Sequence, residues 1–289
     1  MEPIVYLDGT FVPLSQAKVS ILDRGFNYGD ALFETMRIYS GKIFRLDLHL
    51  NRLERGADCI FLKLPESRER IEEIIYETFN RNQGADAVIR ITVTRGKGLP
   101  GKLWQDDCSP TLLVHVRPYQ ASPEEWYRKG VPVSLIPNSA ARLGGVSEQI
   151  KSANYLSQVL ARKQANDRQS VEGVMINERG EVCDGTISNV FLVEKGQLST
   201  PAVNGYVLAG VTRQVVLELA GKVGVPTLER AVSPDEIVKA DEVFLTNTGW
   251  EILPVTRVDG KTLGTGQPGP LTRTLQEKFR KSVEAEIGK

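Results

Sequence analysis

The chain has 289 residues, room for two domains of ordinary size or one large one. Hydrophobic residues make up 41% and charged residues 25%, the balance of a soluble globular protein with a real core. Lys plus Arg and Asp plus Glu each number 36, so a formal net charge of zero excludes bulk attraction to nucleic acid or anionic membrane.

An anionic ligand therefore needs a local site. No segment approaches the roughly 18 consecutive apolar residues of a membrane span. The start, MEPIVYLDGTFVPL, lacks the cationic and then apolar run of a signal peptide. Cys59, Cys108 and Cys183 are odd in number and contain no CxxC pair, which fits a reduced cytoplasmic protein. With only His49 and His115 present, a histidine-rich metal centre is not expected.

In chain order, IVYLDGTFVPL reads as a hairpin about Asp-Gly, and ETMRIYSGKIFRL as a second strand pair about Ser-Gly. Leu46, Leu50, Leu53 and Ala57 fall at helical spacing. RERIEEIIYETFNRNQG is amphipathic, with Ile71, Ile74, Ile75 and Phe79 on one face and Gly84 as its stop. AVIRITVTRG and TLLVHVRPY read as strands. The prolines and charges of PYQASPEEW mark a domain boundary, dividing 1–119 from 120–289.

The second part opens with the strand VPVSLIP and a helix over SANYLSQVLARKQANDR. Hairpin-rich β structure follows in VEGVMINERGEV and ISNVFLVEKGQLSTP, then the helix VTRQVVLELAGKVG, the strand DEVFLTNT and a C-terminal helix. Helices and strands mix without strict alternation, so the fold class expected is α+β in two domains.

Several short segments bear on chemistry. GKGLPGKL, residues 96–103, imitates a phosphate-binding P-loop, but Leu103 stands where Ser or Thr should bind magnesium, and no helix start follows. A mobile glycine-rich surface loop, or a flap over a binding site, is the better reading. Lys151 lies where a turn enters a helix, beside Ser152, Asn154 and Tyr155. A lone lysine is ordinarily just solvated, although a desolvated lysine can form a Schiff base with a carbonyl. Asp184-Gly185 opens a Thr-Ile-Ser-Asn run, by itself an ordinary turn. Gly210-Val211-Thr212 begins a helix, where unpaired backbone N–H groups favour phosphate. Thr246, Asn247 and Thr248 end a strand with a polar rim.

Taken together, DRGFNYGDALFETMR, LDLHLNRL, KSANYL, CDGTISNVF, LAGVTRQVV and ADEVFLTNTGWEILPV run in an order and spacing that resemble the class IV, fold-type IV pyridoxal-phosphate enzymes. The resemblance covers nearly the whole chain. That group includes branched-chain aminotransferases, D-amino acid aminotransferases and aminodeoxychorismate lyases. It implies a smaller N-terminal α/β domain and a larger C-terminal domain built on a β pseudo-barrel. It also implies pyridoxal 5'-phosphate as cofactor, small-molecule amino acid and 2-oxo acid substrates, and a homodimer in which each pocket is completed by the partner chain.

The residue roles it implies follow position by position. Lys151 is the Schiff-base lysine and proton shuttle. Arg52 clamps the cofactor phosphate, for which a guanidinium fork is suited. Gly210, the Val211 and Thr212 amides and the Thr248 hydroxyl complete the phosphate cup, with Gly249 beside it facing substrate. Leu208 packs on the pyridine ring, Tyr155 bonds the ring hydroxyl, and Asn189 has mainly a structural role. Asp184 stands where the family usually has glutamate, whose charge keeps the ring nitrogen protonated. It is one methylene shorter, so a longer or water-bridged contact is expected unless the backbone shifts.

For substrate, Arg90 matches an arginine near the substrate carboxylate of branched-chain enzymes. Tyr28, Phe33 and Arg37 match further pocket positions, and the aromatic pair suits an apolar side chain. The Arg-x-His pair of D-amino acid enzymes is absent from GKGLPGKLW. Against the branched-chain pattern, Val88 replaces a tyrosine, and Thr35 and TRGKG have counterparts in lyases and D-specific enzymes. The leading expectation is an L-branched-chain or broad aliphatic aminotransferase working with an acceptor such as 2-oxoglutarate. D-amino acid or (R)-amine transamination and aminodeoxychorismate lyase activity are the alternatives. A non-catalytic binder on the same fold is the reading from another class.

Overall fold

In a computed structural model describing residues 2–82, 84–137, 150–203 and 205–288, the chain divides into two units. One comprises Met1–Gln120 and Gln149–Asn154; the other comprises Ala121–Glu148 and Tyr155–Lys289. Fold class is mixed α and β, as expected.

The first unit contains β1 (Ile4–Leu7), β2 (Thr10–Pro13), α1 (Arg24–Tyr28), β3 (Ala31–Tyr39), β4 (Lys42–Ile43), α2 (Leu46–Cys59), α3 (Arg68–Arg81), β5 (Ala87–Thr94) and β6 (Thr111–Pro118). Its sheet runs β2-β1-β6-β5-β3-β4. The Asp-Gly hairpin forms as read: Leu7 pairs with Thr10, and Asp8 and Gly9 both take positive φ, as a two-residue turn requires.

Strand alternation then separates two faces. On β3, Leu32, Met36 and Ile38 are buried with Ile89 and Ile91 of β5; α2, which buries Leu50 and Leu53, packs on β3, and α3, which buries Ile71, Ile74 and Ile75, packs on β1 and β6. Phe33, Thr35 and Arg37 take the opposite face, with Thr35 opposite Arg90 and Arg37 opposite Val88.

Two expectations change here. A helix expected from residue 152 begins at Leu156, and Gln149–Asn154 groups with the first unit instead of the C-terminal half. The cause is backbone pairing. β4 covers only Ile38 and Tyr39 of β3, leaving the edge at Ala31–Phe33 unfilled. Phe33 N donates to Lys151 O at 3.0 Å and Ala153 N donates to Ala31 O at 2.9 Å, so Lys151–Ala153 is extended and not helical. After Lys102 the chain stays irregular as far as β6, and Arg24 donates to the carbonyls of Lys102 (2.8 Å) and Leu103.

The second unit contains α4 (Glu124–Lys129), β7 (Val131–Ile136), α5 (Leu156–Asp167), β8 (Glu172–Ile176), β9 (Val182–Gly185), β10 (Asn189–Glu194) and β11 (Gln197–Pro201). It continues with α6 (Val211–Lys222), β12 (Thr227–Arg230), α7 (Pro234–Lys239), β13 (Glu242–Asn247), β14 (Glu251–Val258), β15 (Lys261–Thr262) and α8 (Pro270–Ile287). Its sheet runs β12-β11-β10-β13-β14-β7-β8-β9, with β15 on β14. The sheet curls into a half-barrel, bringing β9 back against β10. Val131, Val133, Val190, Leu192, Val243, Leu245, Leu253 and Val255 share one core. Phe191 and Phe244 stack on the other face, centroids 4.9 Å apart.

Candidate active site

Within the first unit, Lys151 is half-buried, and its Nζ lies 4.7 Å from the centroid of the Phe33 ring. The Arg90 guanidinium lies 3.7 Å from the same centroid. Two cations from distant parts of the sequence thus share one aromatic platform, an arrangement stabilised by the ring quadrupole. Arg37 is buried against Tyr39 and Tyr119, at 4.5 and 2.9 Å from their centroids. Tyr28 is exposed at the end of α1 and carries the Arg24 guanidinium at 5.0 Å.

Arg52 projects from α2 into a cluster that sequence reasoning missed. Its Nε and Nη2 donate to the two carboxylate oxygens of Glu34, each at 2.7 Å. His49, one helical turn earlier, sits with Nδ1 2.8 Å from Glu34 Oε2. All three residues are buried. Burial acts to raise the Glu34 carboxyl, but the Arg52 charge and the bonds from Arg52 and His49 outweigh it and hold the group well below the usual carboxylate range. Burial pushes the His49 imidazole down, only partly offset by Glu34. A neutral His49 facing an ionised carboxylate must carry its proton on Nδ1 and donate it. The available signal was Glu34 itself, a carboxylate on the face of β3 that otherwise carries Leu32, Met36 and Ile38.

In the second unit, Asp184 near the end of β9 accepts from Asn189 Nδ2 at 2.7 Å and from Leu208 N at 2.7 Å. Asn189 also donates to Leu208 O at 2.8 Å. The Asn189 side chain therefore fixes the acidic group to the segment preceding α6. A Cβ at Gly210 would fall 2.0 Å from Asn189 Oδ1, so this approach requires glycine. Tyr155 is half-buried at the start of α5. Thr248 and Gly249 lie in the turn from β13 to β14, where Asn247 Oδ1 accepts from Gly249 N at 2.9 Å and Trp250 N at 2.6 Å.

These residues suit a phosphorylated, electron-poor ring. Helix α6 begins at Val211 and Thr212 with no side-chain cap, so its first amides point outward as donors for an anion. Thr246 pairs with Asn189 across the strands, and its buried Oγ1 has no hydrogen-bond partner among the described residues. Among the described residues no cluster of acidic, histidine or cysteine side chains could hold a metal, and no helix is long and apolar enough to cross a membrane.

Comparison with known proteins shows the family. Residues 31–258 match the family model described as amino-transferase class IV. A putative branched-chain-amino-acid aminotransferase of Methanocaldococcus jannaschii is 36% identical, the match covering 96% of this chain and 95% of the relative. A D-alanine aminotransferase of Bacillus licheniformis is 35% identical over 99% of both. The crystal structure of the T.th. branched-chain amino acid aminotransferase with pyridoxamine 5'-phosphate superposes with a TM-score of 0.92 at 28% identity, covering 100% of this chain and 95% of that one. The chain belongs to the class IV aminotransferases. It has their fold-type IV architecture, and its chemistry is transamination dependent on pyridoxal 5'-phosphate.

Proposed function

We propose that this chain transfers the amino group of an L-branched-chain or other aliphatic amino acid to a 2-oxo acid such as 2-oxoglutarate. The observation that carries this reading is the shared Phe33 platform, which sets the Lys151 amine and the Arg90 guanidinium about one apolar ring. Arg90 anchors the substrate carboxylate, and Phe33 offers its apolar surface to the side chain. Arg37, Tyr28 and Gly249 shape the remainder of the substrate's surroundings. Lys151 Nζ would carry the proton between the substrate α-carbon and the cofactor's carbonyl carbon.

Arg52, Gly210, the Val211 and Thr212 amides and Thr248 hold the cofactor phosphate, while Leu208 and Tyr155 contact its ring. Asp184 holds the ring nitrogen in its protonated form. When bound, the cofactor supplies a carbonyl that accepts the amine and a protonated ring that withdraws electrons. Residues 1–119 are assigned the substrate wall and the phosphate arginine, and 120–289 the remaining cofactor contacts. The protein works in the cytoplasm as a homodimer.

Lys151→Ala should abolish both the visible absorption of the bound cofactor at its Schiff-base band and turnover. Retention of both would refute the assignment. Full-length likeness to a D-alanine aminotransferase favours a second reading, D-amino acid transamination. Assay of L-leucine, L-valine and D-alanine against 2-oxoglutarate and pyruvate separates the two, since activity confined to D-alanine rules out the first.

A further inference from the structure

Beneath the Asp184 turn lies a second buried carboxylate. Glu172 opens β8 and is wholly inaccessible to solvent. Its Oε1 accepts from Gly173 N (2.8 Å), Thr186 N (3.2 Å), Thr186 Oγ1 (2.6 Å) and Arg162 Nη2 (3.0 Å). Its Oε2 accepts from Ser188 Oγ at 3.0 Å. Three of these five donors belong to the turn joining β9 to β10.

The hydroxyls of such a turn ordinarily face water. Here they point inward to a charge that water does not reach, while Ile187 between them is half exposed. Gly185 permits the closure, because a Cβ there would lie 2.1 Å from Ser188 Oγ and 3.1 Å from Glu172 Cδ. The two ends of the turn are Asp184 and Asn189, whose side chains bond each other at 2.7 Å. The shape of the turn therefore sets the direction of the Asp184 carboxylate. Arg162 on α5 supplies the counter-charge, and its guanidinium lies 5.9 Å from the Trp250 ring centroid, next to the Thr248–Gly249 turn.

A pair made by a fully buried carboxylate and a partly exposed arginine is a poor device for stability alone, since desolvating the carboxylate offsets much of the attraction. What it provides is fixed geometry, because each donor must meet a particular oxygen. We infer that Glu172, paired with Arg162, is a positioning residue that holds Asp184 in the orientation needed to keep the cofactor's ring nitrogen protonated. This rests on the proposed role of Asp184.

The test uses the full-length protein loaded with pyridoxal phosphate carrying 15N in the ring. Its readouts are the 15N chemical shift of that nitrogen and kcat. Asp184→Asn should move the shift toward that of a neutral pyridine. Glu172→Gln, which keeps shape but loses charge, should move it in the same direction and lower kcat at least tenfold. In the Asp184→Asn background, Glu172→Gln should change neither quantity further. Ser188→Ala and Thr186→Val each remove one donor, and smaller shifts of the same sign are expected should Glu172→Gln fail to fold. The inference is overturned if these variants lower only the melting temperature and leave the 15N shift in place. If Asp184→Asn itself leaves the shift unmoved, it is the role of Asp184 that fails, and the inference falls with it.

Discussion

Each unit sets a carboxylate at a family motif, buried at Glu34 and half-buried at Asp184, and the two are treated in opposite ways. Glu34 in the first unit is neutralised by a cation, taking both bonds of the Arg52 fork and a third from His49. Asp184 in the second accepts from an amide side chain and a backbone N–H, donors that orient it without cancelling its charge. The first arrangement spends a negative charge to aim a positive one, which suits a guanidinium awaiting phosphate. The second preserves a negative charge in a fixed direction, which suits a partner for a protonated ring nitrogen. An acid in a motif can thus serve either as a support or as a reagent, and its donors distinguish the two.

The comparison breaks most forcibly at Glu34. Glu34→Leu leaves Arg52 buried without its counter-charge and should destabilise the protein by about 3–5 kcal/mol, read from urea unfolding. Replacing Arg52 by Leu as well should restore most of that stability while cofactor affinity stays low. If the double variant is no more stable than the single one, the pair is not a coupled unit. Asp184→Asn should do the reverse. Stability should fall by only about 1 kcal/mol, from one weakened hydrogen bond, whereas kcat should drop about 100-fold, the usual scale for losing an aligned electrostatic partner. Equal loss of stability at both positions would erase the distinction.

These two clusters also differ in how much of them the sequence disclosed. The segment CDGTISNVF and the Gly210 helix start are local, and a turn dipeptide with a glycine before a helix announces itself over a few residues. Glu34 is not legible in the sequence, because its partners lie 15 and 18 residues away on a helix whose apolar spacing is the stronger local signal. Lys151 reads as the mouth of a helix because its extended form depends on β3, more than a hundred residues earlier in the chain. β14 does not read as a strand from its sequence, since Pro254 interrupts its apolar run. Its residues Glu251–Val255 nevertheless pair with β13, Pro254 standing opposite Phe244. Local chemistry was legible, and long-range pairing was not.

Acid separates the two clusters by a smaller effect. Burial lowers His49, and Arg52 with His49 lowers Glu34 against the opposing pull of burial, so both groups bind protons more readily unfolded than folded. Stability supplied by neutral His49 is complete above its ordinary value of 6.5 and declines as pH falls below it. That supplied by ionised Glu34 is complete above 4.5 and declines below that. Unfolding free energy should therefore fall from about pH 6.5, by at most about 1.4 kcal/mol per pH unit for each proton involved, and more steeply below 4.5. His49→Gln keeps a donor for Glu34 but cannot titrate, so it should flatten the curve between the two values and leave the acid limb in place. His115 is half-buried and also lowered by desolvation, so His115→Gln should flatten the same window less. Asp184→Asn should leave this upper window unchanged, because the Asn189 amide and the Leu208 N–H that bond this carboxylate do not titrate there. A pH curve in which Asp184→Asn removes the slope and His49→Gln does not would reverse the roles given to the two carboxylates.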